Sequence, residues 1–238
     1  MSTKYPGGFI TKSPVAPTSS AASGMWTLDQ AMQLQKQGNW PSPPPTVIGQ
    51  AFGGGYYAGQ IGVSGVATHY IVVGPVSTAQ NTNKQYKTSA TSTTGASSDI
   101  DGPANSAAMN ASNHPAAFFC EGLTIGGFSD WYMPAKNELE VCYYNLKPTT
   151  TANNTAAGIN ANAVPARASN YTTGDPAQTT ASAFVTSTGA EAFAQTYYWS
   201  STEATSSTGW RQRFTVGTQN GYQKNYGIYV RAIRRVAV

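Results

Sequence analysis

Gly126-Gly127-Phe128-Ser129-Asp130-Trp131-Tyr132-Met133-Pro134-Ala135-Lys136-Asn137-Glu138-Leu139-Glu140 is the stretch around which the chain is organised. It passes from a Gly-rich turn through an aromatic, strand-like piece into the start of a helix. Pro134 suits the first helical turn, where its missing N–H costs nothing. Glu138 and Glu140 fall in the early turns, where negative charge complements the macrodipole. Leu139, Cys142, Tyr143 and Leu146 recur at helical spacing as one apolar stripe, and Pro148 stops the helix. Trp131 reads as the anchor that fixes this helix onto a core.

Downstream, residues 197–203, 210–216 and 227–236 alternate aromatic or aliphatic with polar residues, as half-buried antiparallel strands do. Gln219-Asn220-Gly221 is expected as the turn between the last two. Upstream, residues 52–63 form a Gly-broken aromatic strand, and Ser64-Gly65 joins it to a second strand over 66–73 as a hairpin. Residues 75–100 read as a polar loop. Residues 101–121 read as two helical pieces, with Pro103 near the start and Pro115 as the interruption. Ala107, Ala108 and Ala111 are small enough there for close packing, and Phe118, Phe119 and Cys120 are core candidates. Residues 149–180, rich in Thr, Ala and Asn, form a long loop of the kind that is functional or disordered by default. Residues 184–193 carry a short strand or a helical turn.

The front of the chain has a different character. Residues 1–23 hold three prolines and no acid, and cannot build a core of their own. Thr27 with Gln30 three residues on is a capping-box pattern that opens a short helix over 27–38. Trp26 and Trp40 bracket this helix as anchoring residues, and Pro41-Ser42-Pro43-Pro44-Pro45 enforces an extended linker. The division is an N-terminal attachment arm over 1–45 and a compact domain over 46–238.

Charged residues make up 10% of the 238, against a typical ~25%. After Glu203 no acid occurs, while Arg211, Arg213, Lys224, Arg231, Arg234 and Arg235 all follow. These cations either attract an anionic partner such as acidic glycan, lipopolysaccharide or nucleic acid, or pair with acids from elsewhere in the fold or a neighbouring subunit. No nucleic-acid motif accompanies them, and the net charge is only +4. Cys120 and Cys142 are expected as buried free thiols, with a single bridge the alternative. Gly53-Gly54-Gly55 lacks the helix and acidic partner of a dinucleotide fingerprint. His69 lies inside a strand without a second ligand. Two histidines, few carboxylates and no nucleophile motif leave little for acid–base chemistry. Glu203 beside Ser200-Ser201-Thr202 is the one tempting group, and is expected to orient backbone or pair with an arginine. The opening residues lack a signal peptide's apolar run, and no stretch is long enough for a membrane helix, so the expected site of synthesis is a cytoplasm.

Three motifs in order, Asp130-Trp131-Tyr132-Met133-Pro134 with Glu138-Leu139, then Tyr198-Trp199-Ser200-Ser201-Thr202-Glu203, then Tyr229-Val230-Arg231-Ala232-Ile233-Arg234-Arg235, resemble the Lcl C-terminal domain family. The likeness spans roughly residues 53–236. The N-terminal Trp26-Thr27-Leu28-Asp29-Gln30 and Gly38-Asn39-Trp40-Pro41 look like segments at the front of bacteriophage virion proteins. The resemblance implies an α+β domain of C-type-lectin-like or formylglycine-generating-enzyme-like fold, with two helices and small antiparallel sheets. It makes Trp131, Pro134, Glu138, Trp199, Glu203 and Arg231 fold-motif residues. It implies a virion protein without catalytic residues, cofactor or metal. Residues 1–45 would bind other virion proteins, and the displayed domain would meet host cell-surface glycan as part of a tail fibre, baseplate or surface component. Tyr171, Tyr197, Trp210, Tyr222 and Tyr226 are the expected sugar-stacking residues. The alternative is a purely architectural capsid decoration or cement protein. A homo-oligomer is expected, with neither nucleic-acid binding nor membrane insertion. The Glu-Pro-Asn loop and Trp-Asn-Asp strand of calcium-dependent lectins are missing, and no cysteine follows residue 150, where the formylglycine-generating enzymes carry their reactive pair.

Overall fold

The computed structural model describes Pro17, residues 26–36 and residues 45–238. The chain divides into two compact units, Met1–Pro44 and Pro45–Val238.

Within the first unit, α1 (Leu28–Lys36) starts as its spacing predicts. Thr27 N–H donates to Gln30 Oε1 at 2.9 Å, and Gln30 N–H donates back to Thr27 Oγ1 at 3.2 Å. This reciprocal capping satisfies two of the helix's orphan donors. Leu28 and Met32 are 76% and 48% exposed. Trp26 lines a small cleft with Gln30, Gln33 and Leu34. Trp40, residues 41–44 of the Pro-rich linker and most of the expected arm lie outside the described residues.

The second unit runs β1 (Ala51–Phe52), β2 (Gly55–Val63), β3 (Val66–Val73), α2 (Val76–Ala79), β4 (Gln80–Gln85), α3 (Gly102–Ala108), α4 (Pro115–Glu121), α5 (Lys136–Leu146), a 3-10 turn (Ser182–Phe184), β5 (Tyr197–Glu203), β6 (Thr208–Arg213), β7 (Gln219–Gln223), β8 (Gly227–Arg231) and β9 (Ile233–Ala237). A four-stranded sheet has the order β1-β2-β3-β9, and a five-stranded sheet the order β4-β8-β5-β6-β7. All pairings are antiparallel except β5 with β8, which touch in parallel at Tyr198 and Tyr229. The architecture is mixed α+β. It holds more helices than the two that the family likeness implies.

The β2–β3 hairpin turns at Ser64 and Gly65, with φ of 52° and 78°. Two successive left-handed residues give the turn whose twist matches the flanking strands. Farther along, α5 buries Leu139, Cys142, Tyr143 and Leu146 against Ile61, Ile71, Tyr198 and Phe214. Its N-cap is Ala135, so Pro134 stands before the helix rather than in its first turn, and its carbonyl accepts Ser201 N–H at 2.7 Å. Tyr132 and Ile233 exchange backbone hydrogen bonds of 2.9 and 3.0 Å, tying the organising stretch to β9. A second cluster gathers Trp131, Trp199, Met109, Met133, Cys120 and Ala116. Cys120 and Cys142 are free, buried and in different clusters, so they form no bridge.

Several expectations are corrected. Residues 80–85 are a strand, not part of a polar loop. Gln-Asn-Thr-Asn-Lys-Gln shows no apolar alternation because its backbone pairs with β8 while its side chains stay part-exposed. The Lys84 carbonyl accepts Trp199 Nε1–H at 2.9 Å. Gln219, Asn220 and Gly221 lie inside β7, paired with β6, and the turn falls at 214–218 instead. Gly217, with φ of 80°, takes the left-handed position there, and its N–H donates to Arg213 O at 2.7 Å. Ala107, Ala108 and Ala111 face solvent, and Phe118 is exposed. The packed face of α3 is polar: Asn105 Nδ2 donates to Ser98 O at 2.7 Å, and Ser106 Oγ accepts Met133 N–H at 3.1 Å.

Candidate functional site

Most of the late cations are consumed within the fold. Arg231, fully buried, donates to Glu191 Oε2, Glu191 O and Gly74 O, each at 2.8 Å. Arg234 grips Asp130 through two bonds of 2.7 and 2.8 Å and lies 3.8 Å over the Phe128 ring. Arg235 meets Glu138 at 2.5 Å, and Lys224 meets Glu203 at 2.7 Å. Glu203 also accepts Thr93 N–H at 2.6 Å, so it orients backbone as expected, but its ion-pair partner is a lysine rather than an arginine.

Glu138 and Glu140 do far more than complement a helix dipole. Each is fully enclosed and accepts three hydrogen bonds. Glu138 accepts Tyr132 O–H at 2.5 Å, Ala135 N–H at 2.7 Å and Arg235. Glu140 accepts Tyr171 O–H at 2.5 Å, Asn160 Nδ2–H at 2.5 Å and Arg167. Burial raises the pKa of both carboxyls, with Arg235 and Arg167 respectively pulling them back down. Neither opens to solvent, so these clusters hold structure together.

Glu140 thereby reaches into the long loop. Its partners Asn160, Arg167 and Tyr171 all lie in residues 149–180. Asn153, also buried, accepts Tyr143 O–H at 2.6 Å and donates to Pro176 O at 2.9 Å. The loop has almost no regular structure, yet buried polar side chains nail it to α5. Tyr171 belongs to this nail. It is 4% exposed and packs on Tyr143, so it cannot offer a face to sugar as expected.

The other four expected stacking residues separate into two groups. The guanidinium carbon of Arg211 lies 3.7 Å from the Tyr197 ring centre and 3.6 Å from that of Tyr222. Tyr226 follows at 5.3 Å from Tyr222, and Arg213 stands 5.6 Å over Tyr197. The register sets Tyr197 opposite Arg213 and Asn220 opposite Arg211. Strand alternation therefore gathers Tyr197, Arg211, Arg213, Asn220 and Tyr222 on one face of the β5–β6–β7 sheet, and Tyr226, in the turn after β7, adjoins them through Tyr222. Trp210, one residue from Arg211, faces the other way. Lys136 Nζ sits 4.3 Å over its ring, and the two line a cleft of about 220 Å³ with Gly158, Ile159, Asn170 and Gln219.

Among the described residues, no group of three His, Cys, Asp or Glu could hold a metal ion. His69 contacts Thr68, and His114 contacts Thr93 and Asn113, each at 3.0 Å. No described helix is long and apolar enough to cross a membrane. No family model matches the chain, and no curated protein matches it. The family likeness thus stands on its three motifs. Of the fold-motif residues, Trp131, Pro134, Glu138, Trp199 and Arg231 are buried, and Glu203 is half-buried.

Proposed function

We propose that the protein is a non-enzymatic structural component of a bacteriophage particle. On this reading residues 1–45 attach it to other virion proteins, and residues 46–238, a C-type-lectin-like domain, meet host-surface glycan. The observation that carries the glycan half is the β5–β6–β7 sheet, with part-exposed aromatic rings on both faces. An aromatic face stacks on the apolar face of a sugar ring, while nearby amides such as Asn170 and Gln219 bond its hydroxyls. The loop over 149–180, fixed by buried bonds, supplies a preformed wall for such a site. The virion half rests on the motif likeness and on the capped α1 beside Trp26.

Leu28 and Met32 leave α1 with exposed apolar side chains, which suits docking onto another protein of a particle both on this reading and on its alternative, a purely architectural capsid decoration or cement protein. The deciding experiment labels residues 149–165 on intact particles and images them. Label at a tail tip or fibre end supports host attachment. Label spread over a capsid favours decoration, and particles without label overturn the virion reading. A glycan screen on purified protein, repeated with Trp210→Ala, tests sugar binding separately.

A further inference from the structure

Four of the six basic residues after Glu203 end in ion pairs: Lys224, Arg231, Arg234 and Arg235. The other two, Arg211 and Arg213, meet no carboxylate among the described residues. They sit two apart on β6 and share the Tyr197 ring. The Arg211 guanidinium carbon lies over two tyrosine rings, 3.7 Å from the centre of Tyr197 and 3.6 Å from that of Tyr222. Its Nε donates to Asn220 Oδ1 at 3.1 Å, which fixes the rotation of the guanidinium in its plane. Its surroundings are half-buried, and that burial lowers its pKa while Tyr197 and Tyr222 work against the fall. A cation fixed in this way, part-desolvated and without a counter-charge, presents a preorganised fork whose Nη groups match a planar carboxylate.

What adjoins the fork narrows the ligand. Tyr226 is 51% exposed and continues the aromatic row from Tyr222, with ring centres 5.3 Å apart. A carboxylate with a ring beside it would place the anion on Arg211 and the ring on Tyr226. Two unpaired arginines are too few for a phosphate backbone, which calls for a longer basic stripe. We infer that Tyr197, Arg211, Arg213, Tyr222 and Tyr226 form a binding site for a carboxylated saccharide, a hexuronic or sialic acid unit of an acidic glycan. This rests on the glycan-binding reading above and names the sugar class within it.

The test is calorimetric titration of the full chain with four saccharide probes (an oligouronate, a sialylated oligosaccharide, a neutral oligosaccharide of matched length and a sulfated one) and with an acidic peptide and an oligonucleotide as controls. Binding of either carboxylated probe, weakened by salt, is expected. Arg211→Gln should weaken it roughly 10- to 100-fold, the size of a lost charge-assisted hydrogen bond. Arg211→Lys should restore little, because charge without the fork does not match a carboxylate. Tyr226→Ala, at an exposed ring, should leave the melting temperature unchanged and still weaken binding several-fold. Binding of the neutral probe alone, lost with Trp210→Ala, overturns this site and leaves the broader reading standing. Binding of only the sulfated probe overturns the carboxylate assignment, and binding of no saccharide overturns both. Equal affinity for an acidic peptide or an oligonucleotide overturns the sugar assignment. Should Arg211→Gln fail to fold, the Tyr226→Ala titration and the salt dependence of the parent protein decide the matter.

Discussion

Glu138, in the first turn of α5, and Arg235, on β9, form an ion pair of 2.5 Å in which the carboxylate is wholly enclosed. The pair joins the central helix to the last strand, 97 residues away in sequence. Tyr132 O–H and Ala135 N–H also donate to the carboxylate, and the Ile100 carbonyl accepts a further Arg235 N–H. Removing one partner strands the other as a buried, unpaired group. Glu138→Ala should therefore cost about 3–5 kcal/mol, and Arg235→Ala a comparable amount reduced by its partial exposure. A Glu138→Leu/Arg235→Met double variant should regain much of the loss, since a well-packed apolar pair needs no counter-charge. Urea denaturation of the three variants measures this. Single variants costing under about 1 kcal/mol would place the pair among dispensable surface contacts.

The long loop over 149–180 should behave as a folded element. Asn160, Arg167 and Tyr171 converge on Glu140, and Asn153 bridges Tyr143 to Pro176. Glu140→Gln withdraws the charge that Arg167 requires, and Asn160→Ala removes two of the loop's bonds to α5, one to Glu140 and one to Asn137 O at 2.9 Å. Each should raise the rate of limited proteolysis within the loop roughly tenfold, by making local opening cheaper before global unfolding. Mass spectrometry of the first cleavage products reads out the result. First cuts elsewhere would show that the loop is held by something other than Glu140.

What could be read beforehand was what local spacing encodes. The apolar stripe of α5, the Thr27–Gln30 cap and the Ser64-Gly65 turn all have their cause within a few residues. The strand β4 has its cause on β8, about 150 positions away, so Gln80–Gln85 carries no pattern of its own. The same holds for Glu138 and Glu140. A carboxylate in the first turns of a helix looks identical in sequence whether it faces water or an arginine from elsewhere. Tyr171 and Tyr226 are equally indistinguishable as letters, though one is locked under the loop and the other open. The only sequence marks of that lock are the glycines at 158 and 217, which make room for its ring.

Gly158 illustrates the point and can be tested. Its φ is +121°, and an added Cβ would lie 2.4 Å from Tyr171 Cδ1 and 2.5 Å from Tyr171 N. Backbone strain and overlap act together, so Gly158→Ala should cost roughly 2–4 kcal/mol. Gly174, in the same loop, has nothing within 4 Å of an added Cβ. Gly174→Ala should change stability by less than about 0.5 kcal/mol. Equal effects at the two sites, measured by thermal denaturation, would mean that the loop repacks around Tyr171.

His114 gives the fold an acid-sensitive point. Burial first, then the nearby Lys87 and Lys224, push its pKa from 6.5 down to about 4, while Glu203 opposes the fall. Its two ring nitrogens bond Thr93 Oγ1 and Asn113 Oδ1, each at 3.0 Å. The folded state thus keeps a neutral imidazole where the unfolded chain would protonate it. Its contribution to stability is complete above pH 6.5 and declines as pH falls toward 4. The buried Glu138 and Glu140, with raised pKa values, act in the opposite sense: their contribution is complete below the ordinary carboxyl value and is lost as pH rises through the folded one. Comparing the parent with His114→Gln cancels those carboxylates and isolates the histidine. The variant should lose less melting temperature than the parent between pH 7 and pH 4.5. Parallel curves would mean that His114 is protonated without cost, which a side chain enclosed beside two lysines does not allow.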